Sequence, residues 1–121
     1  MTLIDTSVWV DHLRTPNSAL VRLLERGEVL GHPFVAGEIA LGDLRQRDLV
    51  LRLLSRLPRA AVATDAEVLR FIDEHALFGQ GVGYIDVHLL AAVRLTPDAI
   101  LWTYDKRLHT IAAKLSVAAG A

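Results

Sequence analysis

Cysteine is absent from this chain of 121 residues, which excludes both a disulfide framework and a thiolate metal site. No apolar run approaches the roughly 18 residues needed to cross a bilayer. The opening Met1-Thr2-Leu3-Ile4-Asp5 lacks the basic lead of a signal peptide and meets a carboxylate early. The expectation is a cytoplasmic protein with no membrane partner. Positive charge is not in excess either. A formal net charge of -1 removes the global pull on nucleic acid that a strongly basic domain exerts. Phosphate-cradling P-loops, hydrolase elbows and dinucleotide fingerprints are missing, and no two histidines have the four-residue helical spacing of a zinc site.

The hydrophobic content of 52% suits one well-packed domain spanning 1–121, and the length is too short for two of ordinary size. Charge is unevenly placed. Arg45, Arg47, Arg52, Arg56 and Arg59 occupy one segment and Asp65, Glu67, Asp73 and Glu74 the next, so the arginines form either a local basic face or an ordinary solvated helix surface.

Short apolar runs alternate with helical periodicity. Thr2-Leu3-Ile4 reads as a buried strand ending at Asp5, with Thr6-Ser7 as turn or cap and a helix from about Val8. Thr15-Pro16 signals a second helix carrying Leu20, Leu23 and Leu24, and Val29-Leu30 a second strand. His32-Pro33 opens an apolar helix from Phe34 to Gly42, and a more polar one runs from Arg45 to Leu57. Ala61-Val62-Ala63 reads as a weak third strand. Thr64 and Glu67 have capping-box spacing and open a helix reaching Ala76. The loop Gly79 to Gly83 reads as a rim, followed by a helix Ile85 to Leu95, a strand Ala99 to Thr103 and a helix from Lys106. Ser116 to Ala121 is expected to fray. The pattern predicts an α/β fold, a mostly parallel sheet between helical layers.

Within this frame four acids stand in apolar surroundings: Asp5, Glu38, Asp86 and Asp105. Asp5 and Asp105 follow strands, where open α/β sheets gather their ligands. Glu38 and Asp86 share helix faces with apolar residues and are expected to point inward. A buried carboxylate costs several kcal/mol unless compensated. Taken singly, Asp86 and Asp105 also suit helix N-termini. Taken together, oxygen ligands without cysteine select a hard cation, Mg²⁺ or Mn²⁺, and hence phosphate-ester chemistry. Hydroxyls of Thr6, Ser7 and Thr103 lie near enough in sequence to orient a carboxylate or a phosphate. His12, His32, His75, His88 and His109 read as structural or surface residues.

Leu3-Ile4-Asp5-Thr6-Ser7-Val8-Trp9, Gly37-Glu38-Ile39-Ala40, Tyr84-Ile85-Asp86-Val87-His88 and Leu101-Trp102-Thr103-Tyr104-Asp105 together resemble the PIN-domain ribonucleases of the VapC type, toxins of bacterial toxin-antitoxin pairs. The resemblance covers nearly the whole chain. It implies a PIN-like three-layer α/β/α sandwich and an endoribonuclease that uses Mg²⁺ or Mn²⁺ at a site built from Asp5, Glu38, Asp86 and Asp105, acts on RNA, forms a homodimer and is held inactive by a cognate antitoxin protein. The apolar helices around Leu20 to Leu24 and Leu49 to Leu57 are the expected antitoxin groove. A PIN-type nuclease of RNA processing or DNA repair, without an antitoxin, and a phosphoacceptor receiver domain are the alternatives.

Overall fold

The computed structural model describes residues 1–120. Strand β1 (Thr2–Ile4) is followed by helices α1 (Thr6–Arg14) and α2 (Ser18–Glu25), strand β2 (Val29–Leu30), helices α3 (Pro33–Ala40), α4 (Arg47–Ser55), α5 (Asp65–Glu74) and α6 (Tyr84–Leu95), strand β3 (Ile100–Trp102) and helix α7 (Lys106–Lys114). The strands form one parallel sheet in the order β2-β1-β3. Every residue of β1 is buried although successive side chains point to opposite faces, so both faces of the central strand are covered.

Helix α6 supplies much of that cover. Val87 to Val93 are buried without interruption, the pattern of a helix enclosed on all sides. It contacts α5 and β3, while α3 contacts α1 and α4.

Local chemistry sets the boundaries. Asp5 is the N-cap of α1, its carboxylate accepting the Thr6 amide, so the helix begins at Thr6 rather than at Val8. Thr15 closes α1 instead of opening α2; Asn17 caps α2 by accepting the Leu20 amide at 3.1 Å. The Thr64–Glu67 capping box forms in both directions.

Two expectations fail. Ala61-Val62-Ala63 is not a strand. The Ala61 amide donates to the Thr96 hydroxyl at 2.9 Å and is lost to any ladder, which leaves a single bridge between Gly31 and Arg59 at the sheet edge. Nor does the C-terminal segment fray through Gly120. The Leu101 amide donates to Val117 and the Ala119 amide to Leu101, and Val117 is buried; Ala121 lies outside the described residues.

Candidate active site

Because β1 and β3 are parallel neighbours, with Ile4 paired to Trp102, their carboxyl ends open at the same edge of the sheet. Asp5 leaves β1 there and Thr103 leaves β3. Asp5 is 6% exposed, and three donors answer its buried carboxylate. Thr103 Oγ1 donates to Oδ2 at 2.6 Å, Ser7 Oγ to the same oxygen at 3.1 Å, and the Thr6 amide to Oδ1 at 2.8 Å.

The network continues outward. Thr6 Oγ1 donates to Glu38 Oε1 at 2.7 Å, tying α1 to α3. Thr103 Oγ1 also accepts the Asp105 amide at 3.0 Å, and Asp105 Oδ1 accepts the Leu108 amide at 2.9 Å as the N-cap of α7. Ser7 Oγ accepts the Tyr104 amide at 3.2 Å. All three hydroxyls singled out in the sequence thus join the elements that carry the acids.

Asp86, in the first turn of α6, makes no side-chain hydrogen bond in this network. Its carboxyl is pushed above the usual carboxylate range, first by burial and then by the charges of Asp5, Asp105 and Glu38, against a lowering contribution from the hydrogen bond with Gly83. One carboxyl therefore feels the other three, which are carried at the end of β1, within α3 and at the start of α7.

Glu38 departs from expectation. It is exposed, as is Asp105, because the buried stripe of α3 runs through Val35 and Ile39 and leaves Glu38 beside it. Only Asp5 is fully buried and Asp86 half-buried. Among the described residues no three carboxylate or imidazole groups are drawn closely enough together to wrap an ion as they stand. A hard cation of the Mg²⁺ kind needs few direct carboxylates because it keeps much of its water. The donor set fits such an ion in its chemistry and in the uncompensated negative charge that Asp86 registers.

Three of the histidines cap or pack within the fold. His32 caps α3, its Nδ1 accepting the Phe34 amide at 3.1 Å, and it is 3% exposed. His88 is enclosed in an aromatic cluster with Phe34 and Tyr84, and His12 Nδ1 accepts the Asn17 amide. In the arginine-rich segment, Arg47 caps the C-terminus of α3 by donating twice to the Ala40 carbonyl; Arg45, Arg52, Arg56 and Arg59 are exposed. Sequence reasoning passed over Arg107, whose guanidinium lies against Gly81. The available signal was a cationic pair, Lys106-Arg107, at the start of a helix.

Residues 2–114 match the PIN domain family. The chain belongs to the PIN family. Ribonuclease VapC32 of Mycobacterium tuberculosis, in strains CDC 1551 / Oshkosh and ATCC 25618 / H37Rv, is 48% identical over 118 residues, covering 98% of this chain and 95% of that protein. This PIN domain is accordingly of the VapC type. No solved structure matches it significantly. The PIN assignment sets the receiver-domain alternative aside.

Proposed function

We propose that this PIN domain is an endoribonuclease dependent on Mg²⁺ or Mn²⁺, hydrolysing RNA phosphodiester bonds as the toxin of a toxin-antitoxin pair. The observation that carries this reading is the hydrogen-bonded linkage of Asp5 to the segments bearing Glu38 and Asp105, at the carboxyl edge of a parallel sheet, together with the charge that these three acids exert on Asp86. The VapC32 relative, itself called a ribonuclease, directs that acidic site toward RNA.

Asp5 and Asp86 would hold the cation, with Glu38 and Asp105 completing its surroundings. When bound, the ion lowers the pKa of water and neutralises charge on phosphoryl oxygens. The protein's share is orientation. Thr103 and Ser7 fix Asp5 Oδ2, and Thr6 engages Glu38 Oε1 and leaves Oε2 without that bond. Asp105 spends Oδ1 on capping α7 and keeps Oδ2. Asp86, its pKa raised by burial and by its acidic neighbours in the metal-free chain, is the acid whose charge a bound cation would compensate most.

A cognate antitoxin is the proposed partner, and α4 supports its place. That helix has no fully buried residue, and Leu49 and Leu53 are 41% and 52% exposed. Beside them runs an apolar groove of about 290 Å³ lined by Trp9, Leu13, Leu24, Leu53, Leu54 and Leu57. Leu20 is not part of it, since it is fully buried in the core. A homodimer working in the cytoplasm completes the proposal; none of the helices among the described residues is long and apolar enough to cross a membrane. Sedimentation at micromolar concentration tests the dimer.

The deciding experiment is incubation of purified protein with total RNA, with and without chelator, followed by mapping of new ends. Discrete ends that vanish with chelator and with Asp5→Asn support the nuclease. Ends unaffected by both overturn it.

A further inference from the structure

Lys106 and Arg107 occupy the first turn of α7, the positive end of the helix dipole, where cations are disfavoured. Among the described residues neither enters a salt bridge, and the Arg107 side chain donates no hydrogen bond. The fold thus gains nothing evident from placing two charges there. A local rule broken without structural return points to use elsewhere.

Arg107 lies against the backbone of the loop at Gly81. A Cβ added at Gly81 would collide with its guanidinium nitrogen Nη1 and would lie 3.0 Å from Cζ and 3.1 Å from Cδ. Only a residue without a side chain lets the guanidinium rest on this backbone, and Gly81 also has the left-handed φ of +77° that favours glycine. Two residues on, Gly83 caps α6, and its own Cβ position lies 3.8 Å from Asp86 Oδ2. On the other side Arg107 is two residues from Asp105. The guanidinium therefore spans the two segments that deliver Asp86 and Asp105. It lines a cleft of about 210 Å³ with Gln80, Lys106 and Thr110.

Resting on the ribonuclease reading, we infer that Arg107, seated on Gly81 and assisted by Lys106, is a phosphate clamp for the RNA strand running past the carboxylates. A cluster of four acids repels a polyanion, and a chain of net charge -1 offers no general attraction to offset it. The cations that hold the strand must then be local. A planar guanidinium with unengaged donors matches two oxygens of one phosphate. The clamp takes a phosphodiester flanking the one that is cut, and its contact is with the backbone, without base preference.

The test is binding of a short fluorescein-labelled oligoribonucleotide in an Asp86→Asn background, which spares the RNA, across a range of salt concentrations. Arg107→Gln should weaken binding about tenfold and flatten the slope of log affinity against log salt by about 0.7, the contribution of one phosphate contact on a single strand. Arg107→Lys should keep the slope while losing part of the affinity. With Asp86 restored, Arg107→Gln should raise KM with kcat nearly unchanged, and its melting temperature should match the parent because the residue is exposed. Salt slope and KM both unchanged in Arg107→Gln, or no RNA binding by any form, overturn the clamp. A parent that cleaves nothing yet binds RNA with an Arg107-dependent slope sinks the nuclease reading and leaves the clamp standing.

Discussion

Thr103 donates its hydroxyl to Asp5 at 2.6 Å across 98 residues of sequence, in a buried setting. The same hydroxyl accepts the Asp105 amide, so one side chain fixes an acid at the end of β1 and the start of the turn into α7. Thr103→Val keeps the shape and removes the donor, leaving part of a buried carboxylate unanswered. We expect a loss of about 1–3 kcal/mol in stability and a tenfold or greater fall in cleavage, with Thr103→Ser restoring most of both. Denaturant melts and initial rates measure the two quantities. Parent-like values for the valine variant would remove Thr103 from the site.

Asp5→Asn, Glu38→Gln and Asp86→Asn should each lower cleavage by orders of magnitude while circular dichroism stays parent-like, because each removes charge that positions the cation or water. Asp105→Asn should cost less, since an amide oxygen can still cap α7 and the residue is exposed at the cleft mouth. An Asp105 variant more damaged than Asp5→Asn would reverse this ranking.

The raised pKa of Asp86 makes a stability prediction with a definite sign. Its ionised form is disfavoured in the folded chain, so the penalty is fully present above the raised pKa. It fades as pH falls through that value toward the ordinary 3.8. In metal-free buffer Asp86→Asn should therefore melt higher than the parent at pH 7, and the advantage should shrink on acidification. An advantage that grew toward acid would contradict the assignment of the shift to Asp86.

His32 gives the opposite pH dependence. Burial, then the charges of His88 and Arg59, depress its pKa from 6.5 to about 4. Between those values the unfolded chain binds the proton and the folded chain does not, so stability falls as pH drops through that window, by roughly 3 kcal/mol in all. His32→Asn keeps a capping acceptor for the Phe34 amide and does not titrate. Its stability curve should be flatter between pH 6.5 and 4, whatever constant offset the smaller side chain adds. Equal slopes in equilibrium unfolding would assign the acid lability to other groups.

Leu49 and Leu53 should separate inhibition from catalysis. The double substitution Leu49→Asp with Leu53→Asp places charge on the exposed side of α4, where folding loses little and a docked apolar segment would lose its cover. Co-purification with the cognate antitoxin should drop at least a hundredfold while RNA cleavage persists. Retained antitoxin binding moves the partner elsewhere.

How far these features could be read in advance depended on whether local chemistry decided them. The proline after His32, the Thr64–Glu67 box and the acids at strand ends are local signals, and each marks what the structure contains. Ala61-Val62-Ala63 misled because a hydroxyl 35 residues away takes the amide, a competition invisible in a short window. Glu38 misled because α3 is apolar nearly all round, so periodicity could not say which side faces the core. The partners of Asp5 were legible as residue types, whereas their pairing required β1 and β3 to be neighbours. Arg107 could not be tied to Gly81 without coordinates.

The parallel seam between the first and last strands also governs when the cleft comes into being. Asp5 and its hydroxyl donor from β3 stand 98 residues apart, so the carboxylate lacks that partner until the chain through β3 has been made and has paired. A polypeptide truncated before Thr103 should therefore lack one wall of the site and cleave no RNA.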